Sequence, residues 1–184
     1  NQHYSKNMSK VFFDFFKIKH PKYNINATSS KEGDFFAKAV SGVERILYKE
    51  KPNFLIIQGD TNTALAGCFA ASVYNRRQDK KINIVHVEAG LRSFDNNMPE
   101  EINRKLIDQM SNTLFVPTKF DLENLKSEDI ILDKKIFITG NTISDIVKNY
   151  LPLIKKNNIL EMFQIFKKEY FLLTLHRPES VDDV

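Results

Sequence analysis

The sequence predicts an α/β fold: a parallel sheet with helices packed on both faces. Two observations carry this expectation. Short apolar runs rich in Val, Ile and Phe recur at Phe54-Leu-Ile-Ile57, Ile82 to Val87, Thr113 to Val116, Lys135 to Thr139 and Tyr170 to Leu175, each the length of a strand covered on both sides. Between them lie longer segments with helical spacing, Thr63 to Arg76, Pro99 to Met110, Phe120 to Lys126 and Thr142 to Leu151. Strands that alternate with helices in this way pair in parallel.

Ahead of the first run, Met8 to Phe16 and Asp34 to Lys49 also read as helices, the second with an apolar stripe of Phe35, Ala39, Val43, Ile46 and Leu47. A parallel sheet needs a strand before or between such helices. That requirement, together with the absence of an initiating methionine and an end at Val184 just after an apolar run, makes a segment truncated at both ends the expectation. Lys155 to Lys168 is amphipathic, follows Pro152 and reads as a connecting helix. Residues 1–152 are therefore expected to form most of one domain, and residues 153–184 a connecting helix and the first strand of another.

With 184 residues, 42% of them hydrophobic, the chain can bury a core of ordinary size. The net charge of +4 arises from 27 basic and 23 acidic residues scattered along the chain, too diffuse a pattern for a nucleic-acid partner. No run of about 18 apolar residues exists, so no membrane partner is expected, and a cytoplasmic location follows. The single cysteine, Cys68, lies in the apolar stretch Ala64 to Ala71. It excludes a disulfide framework and reads as a packed thiol in a reducing compartment.

Ligands of open parallel sheets bind beyond the carboxyl ends of the strands, and the chemically capable residues follow the apolar runs. Gln58-Gly-Asp-Thr-Asn-Thr63 places Asp60 at a strand-to-helix turn, where a helix N-cap is the plain alternative to a catalytic role. Val85-His-Val-Glu-Ala-Gly-Leu-Arg92 brings Glu88 out of the next strand. Glutamate suits a doubly buried strand only when paired or functional, and Arg92 is its structural candidate partner. His86, on the same side of the strand as Glu88, reads as a packed, hydrogen-bonded histidine.

Met98-Pro-Glu-Glu-Ile-Asn-Arg104 opens a helix with proline and acids in its first turn. There a Glu100–Arg104 ion pair is the structural alternative to a third acid on the same sheet edge. Gly140-Asn141-Thr142 and His176-Arg177 mark two later strand ends, and the histidine-arginine pair is the better candidate for phosphate contact. No dinucleotide-type GxGxxG occurs, so no redox cofactor is expected; no residue is singled out as a metal ligand, and the metal requirement is left open.

Taken together and in order, Gln58 to Thr63, His86 to Arg92, Pro99 to Arg104, Phe137 to Thr142 and His176 to Glu179 resemble the non-hydrolysing UDP-N-acetylglucosamine 2-epimerases over nearly the whole chain. The resemblance implies a Rossmann-like domain within a two-domain, glycosyltransferase-B-like fold, with residues 153–184 starting the second, nucleotide-binding domain. It implies a homodimer that binds a UDP-sugar and interconverts UDP-N-acetylglucosamine and UDP-N-acetylmannosamine by eliminating and re-adding UDP. By position, Asp60, Glu88 and Glu100 match catalytic carboxylates, while His176, Arg177, Asn141 and Arg92 match substrate contacts. Which acid removes the proton is left open. A glycosyltransferase of the same fold, a hydrolysing epimerase and a piece inactive by itself are the rival expectations.

Overall fold

The computed structural model describes residues 6–175 and 178–181. The chain divides into two compact units, Asn1–Asn141 and Thr142–Val184. In the first, a 3₁₀ turn at Lys6–Met8 leads into α1 (Lys10–Phe16) and α2 (Glu32–Glu50). Then β1 (Phe54–Gln58), α3 (Asn62–Arg77), β2 (Asn83–Val87), α4 (Pro99–Met110), β3 (Thr113–Val116), α5 (Lys119–Ser127) and β4 (Lys135–Ile138) alternate as expected. The strands form one four-stranded parallel sheet in the order β1-β2-β3-β4.

Alternation along the strands decides what each face does. Ile57, Ile84, Leu114 and Val116 share one face by register and are all buried. Ile57 and Ile84 join Leu47 of α2, Cys68, Ala71 and Tyr74 of α3 and Ile107 of α4 in one core cluster. Leu114 and Val116 join Ala89, Leu125 of α5 and Ile130 in a second. Small residues line the buried side of α3, among them Ala66, Cys68, Ala70 and Ala71, so its backbone can come close to its neighbours. Within this unit the opposite face of β1 is open, with Phe54 62% and Ile56 68% exposed. Burial pushes the Cys68 thiol up to about 12, partly offset by a hydrogen bond with Ser111, which keeps it neutral in the core.

The second unit holds α6 (Thr142–Lys155), α7 (Ile159–Met162) and α8 (Pro178–Val181). Here two expectations fail. The predicted connecting helix over 155–168 is broken: α6 ends at Lys155, the Ile159 N–H donates to Asn157 Oδ1 at 2.8 Å, and Gln164 and Lys168 take left-handed φ values of 53° and 72°. The predicted strand Tyr170 to Leu175 is irregular, because a strand exists only within a ladder and no described segment pairs with it. The two compact units divide along the sequence between Asn141 and Thr142, and α6 runs through Pro152. Among the described residues no helix is long and apolar enough to cross a membrane.

Candidate active site

The carboxyl ends of β1 and β2 lie side by side, with Gln58 opposite Val87. Gly59, at φ +69°, turns the chain out of β1, and a methyl group added there would sit 3.5 Å from Glu88 Oε2. The Glu88 carboxylate therefore lies against the turn that presents Asp60. That turn is pinned to the sheet by the Gly59 N–H, which donates to the Val87 carbonyl at 3.1 Å.

Asp60 is not the cap of α3. Thr61 takes that position, its hydroxyl accepting from the Ala64 N–H at 3.2 Å, so the acid is released from the local duty its position suggested. Instead α4 reaches back to it twice. The Asn103 side-chain amide donates to the Asp60 carbonyl at 2.8 Å and to Asn62 Oδ1 at 2.9 Å, and Arg104 Nη2 meets Asp60 Oδ2 at 2.5 Å.

Glu88 has φ +74°, the left-handed region that a residue with a Cβ enters at a cost of about 1–3 kcal/mol. Two donors hold it there: the N–H groups of Glu88 and Ala89 both point at the Phe115 carbonyl, each at 3.1 Å. The expected pairing with Arg92 is not made. The Arg92 guanidinium is wholly buried and donates to Leu91 O, to Asp108 and, through Nε and Nη2, to Glu128. No described ion pair involves Glu88.

At the start of α4 two adjacent acids have separate fates. Glu100 is exposed, and the expected i, i+4 pair with Arg104 is absent because Arg104 turns to Asp60 and Glu101. Glu101 is fully buried and accepts from the Ser93 N–H at 2.8 Å and the Ser93 hydroxyl at 3.0 Å. Desolvation raises its proton affinity, but the Ser93 bonds, Arg104 and the Phe94 N–H outweigh it and hold the carboxyl below its usual range. Glu101 is thus the staple that shapes the 93–98 loop in front of the site.

A carboxyl whose folded-state proton affinity is depressed contributes stability in full above its ordinary titration range, and that contribution is lost as pH falls below that range through the lower folded-state value. Replacing Glu101 with Gln in the full-length protein is expected to cost about 1–3 kcal/mol at neutral pH, the usual price of stranding buried donors. It should also flatten the loss of stability as pH falls below about 5. Urea midpoints across that range test this; equal slopes for both proteins would show that Glu101 is not the acid-labile staple.

Of the remaining expected site residues, Asn141 is half-buried and ends the first unit, directly after Gly140. His176 and Arg177 lie outside the described residues. Among the described residues no group of three His, Cys, Asp or Glu side chains is placed to hold a metal ion. The organising residues Asn103, Glu101 and Asp108 were missed as site residues. The helical spacing of α4 carried a signal for them, since polar residues at Glu101, Asn103 and Asp108 occupy a helix that must bury one side.

The architecture is a parallel α/β sheet with Asp60 and Glu88 at adjacent strand ends and Glu100 at the start of the helix that follows, and carboxylates are groups that can give or take protons. The family model for UDP-N-acetylglucosamine 2-epimerase matches residues 1–184, and the chain belongs to that family. It is 48% identical over 186 residues to the UDP-N-acetylglucosamine 2-epimerase of Methanocaldococcus jannaschii, covering 100% of this chain and 49% of the relative. The crystal structure of the M. jannaschii enzyme in complex with UDP-GlcNAc and UDP superimposes with a TM-score of 0.86 at 48% identity, again over 100% of this chain and 49% of the other. The UDP-2,3-diacetamido-2,3-dideoxy-D-glucuronate 2-epimerase of Pseudomonas aeruginosa is 36% identical across 99% of this chain and 49% of its own length. The chain spans about half the length of the curated relatives it matches.

Proposed function

We propose that the protein inverts carbon 2 of a UDP-activated 2-acetamido sugar, interconverting UDP-N-acetylglucosamine and UDP-N-acetylmannosamine. A base takes the proton from carbon 2, the bond from carbon 1 to the diphosphate oxygen breaks, and UDP leaves together with a 2-acetamidoglucal. UDP then adds back to carbon 1 while a second acid delivers a proton to the other face of carbon 2. Atoms and electrons balance with no oxidant or reductant.

The observation that carries this reading is that Asp60 and Glu88 stand on adjacent strand ends, freed from the structural roles their positions suggested by Thr61 and by Asp108. Asp60 and Glu100 act on the two faces of carbon 2, and Glu88 orients the sugar or shares proton transfer. His176, Arg177 and Asn141 contact the substrate, with the cationic pair stabilising the departing diphosphate. The working form is a cytoplasmic homodimer.

Incubating the full-length protein with UDP-N-acetylglucosamine in deuterated water tests the reaction. Deuterium is expected at carbon 2 of both epimers with no sugar acceptor present. Transfer to an acceptor without exchange would instead establish a glycosyltransferase, and free N-acetylmannosamine a hydrolysing enzyme. The Pseudomonas relative named for a diacetamido glucuronate makes that UDP-sugar the second substrate to try in the same assay.

A further inference from the structure

His86 is completely buried, and the proposed reaction leaves it without a task. Both of its ring nitrogens face oxygen. Nε2 lies 3.0 Å from the Gly59 carbonyl and Nδ1 lies 2.6 Å from Asp108 Oδ1. A carbonyl oxygen can only accept, so Nε2 carries hydrogen. A neutral imidazole would then present a lone pair to Asp108 across 2.6 Å. Turning the ring over would place C–H groups opposite both oxygens and forfeit both bonds.

A hydrogen is therefore shared between Nδ1 and Asp108 Oδ1. Asp108 Oδ2 accepts from the Gly90 N–H at 3.1 Å and from Arg92 Nη1 at 2.8 Å, and both donors favour the ionised carboxylate. Arg92 binds two carboxylates, the buried Asp108 and Glu128, whose side chain is 27% exposed. Buried ions persist when they are paired and hydrogen-bonded in this manner. Two further titratable groups interact with Asp108: the Cys68 thiol, kept neutral by burial, and the Lys134 ammonium, which lies between α5 and β4 and donates to the Gln109 and Ser111 carbonyls at the end of α4.

We propose that His86 is held as an imidazolium and acts as a positioning residue, bridging the turn that presents Asp60 to the Asp108–Arg92 pair that seats the turn after Glu88. Its Nε2–H grips the carbonyl immediately before Asp60, while Asp108 grips Gly90, two residues beyond Glu88. The two acids are thereby set at a fixed separation through buried charge and not through loop packing alone. Arg92, expected from the resemblance to touch substrate, belongs to this buried link. The kinetic half of the test rests on the epimerase reading, but the spectroscopic half does not.

The first experiment is an ¹⁵N–¹H correlation spectrum of the full-length protein labelled with ¹⁵N at its histidine rings, with the His86 signals assigned by their loss in His86→Gln. Hydrogen on both ring nitrogens at neutral pH is expected. Hydrogen on a single nitrogen overturns the proposal, whatever reaction the enzyme performs. The second experiment compares His86→Gln, which keeps one donor for Gly59, with His86→Leu, which keeps none. Displacement of reacting groups by about 1 Å costs on the order of 100-fold, so the Leu variant should lose about that factor in kcat with KM within about twofold, and Gln should recover part of it. Equal kcat values for the two variants, or a change in KM alone, overturns the positioning role. If the Leu variant does not fold, the wild-type spectrum still decides.

Discussion

Replacing Asp60 with Asn in the full-length protein is expected to lower kcat for epimerisation by about 100- to 10,000-fold, the range spanned by a positioned general acid or base. The fold should hardly notice. Asn103 binds the backbone carbonyl of residue 60 and not its side chain. The change therefore removes only the contact with Arg104, itself 17% exposed at the side chain, and costs about 1 kcal/mol. Isotope exchange separates the roles further. If Asp60 serves one face of carbon 2 and Glu100 the other, each single variant still forms the glucal from one epimer and returns it with deuterium, while exchange from the other epimer is lost. Asp60→Asn and Glu100→Gln should therefore show opposite epimer preferences. Normal turnover in Asp60→Asn would remove that residue from the reaction, and identical preferences would remove the two-face assignment.

The largest effect on stability is expected at Gly90, which lies in the turn between Glu88 and Arg92. Its φ of +82° is strained for any residue with a side chain, and a methyl group there would lie 2.4 Å from the Asp121 carbonyl oxygen and 2.9 Å from its carbon. Those are backbone atoms of the first turn of α5, fixed by the reciprocal Thr118–Asp121 cap and tied back to the Gly90 carbonyl by Asn124. They cannot yield in the way a flexible side chain could. Overpacking and backbone strain each cost about 1–3 kcal/mol, so Gly90→Ala should lose about 2–6 kcal/mol. The urea midpoint of the full-length protein measures it. Gly33→Ala is the control: nothing lies within 4 Å of the added methyl in the first turn of α2, and helix propensity favours alanine there by up to about 1 kcal/mol. Equal midpoints for the two variants would show that the α5 contact does not constrain the turn.

The site was legible in the sequence to different depths. Asp60, Glu88 and Glu100 could be placed on one edge of one sheet because each directly follows, or starts the helix that follows, an apolar run whose period is local. Partner choice was not legible. Sequence spacing paired Arg104 with Glu100 and Arg92 with Glu88, the nearest candidates along the chain. The folded chain pairs Arg104 with Asp60, forty-four positions away, and Arg92 with Asp108 and Glu128. The adjacent acids Glu100 and Glu101 are alike in composition and opposite in burial. Only the orientation of α4 against the 93–98 loop separates them.

What the sequence determined by itself was the parallel α/β plan and the edge on which the acids emerge, because apolar periodicity and strand-to-helix alternation are properties of short stretches. What the tertiary structure alone decided was which partner each acid takes. Thr61 takes the cap, Glu101 takes Ser93, Asp108 takes His86 and Arg92, and Glu88 is forced into a left-handed turn by the Phe115 carbonyl. An ion pair or a buried hydrogen bond depends on distance in space and on exclusion of water, and neither is written in the spacing of residues along a chain.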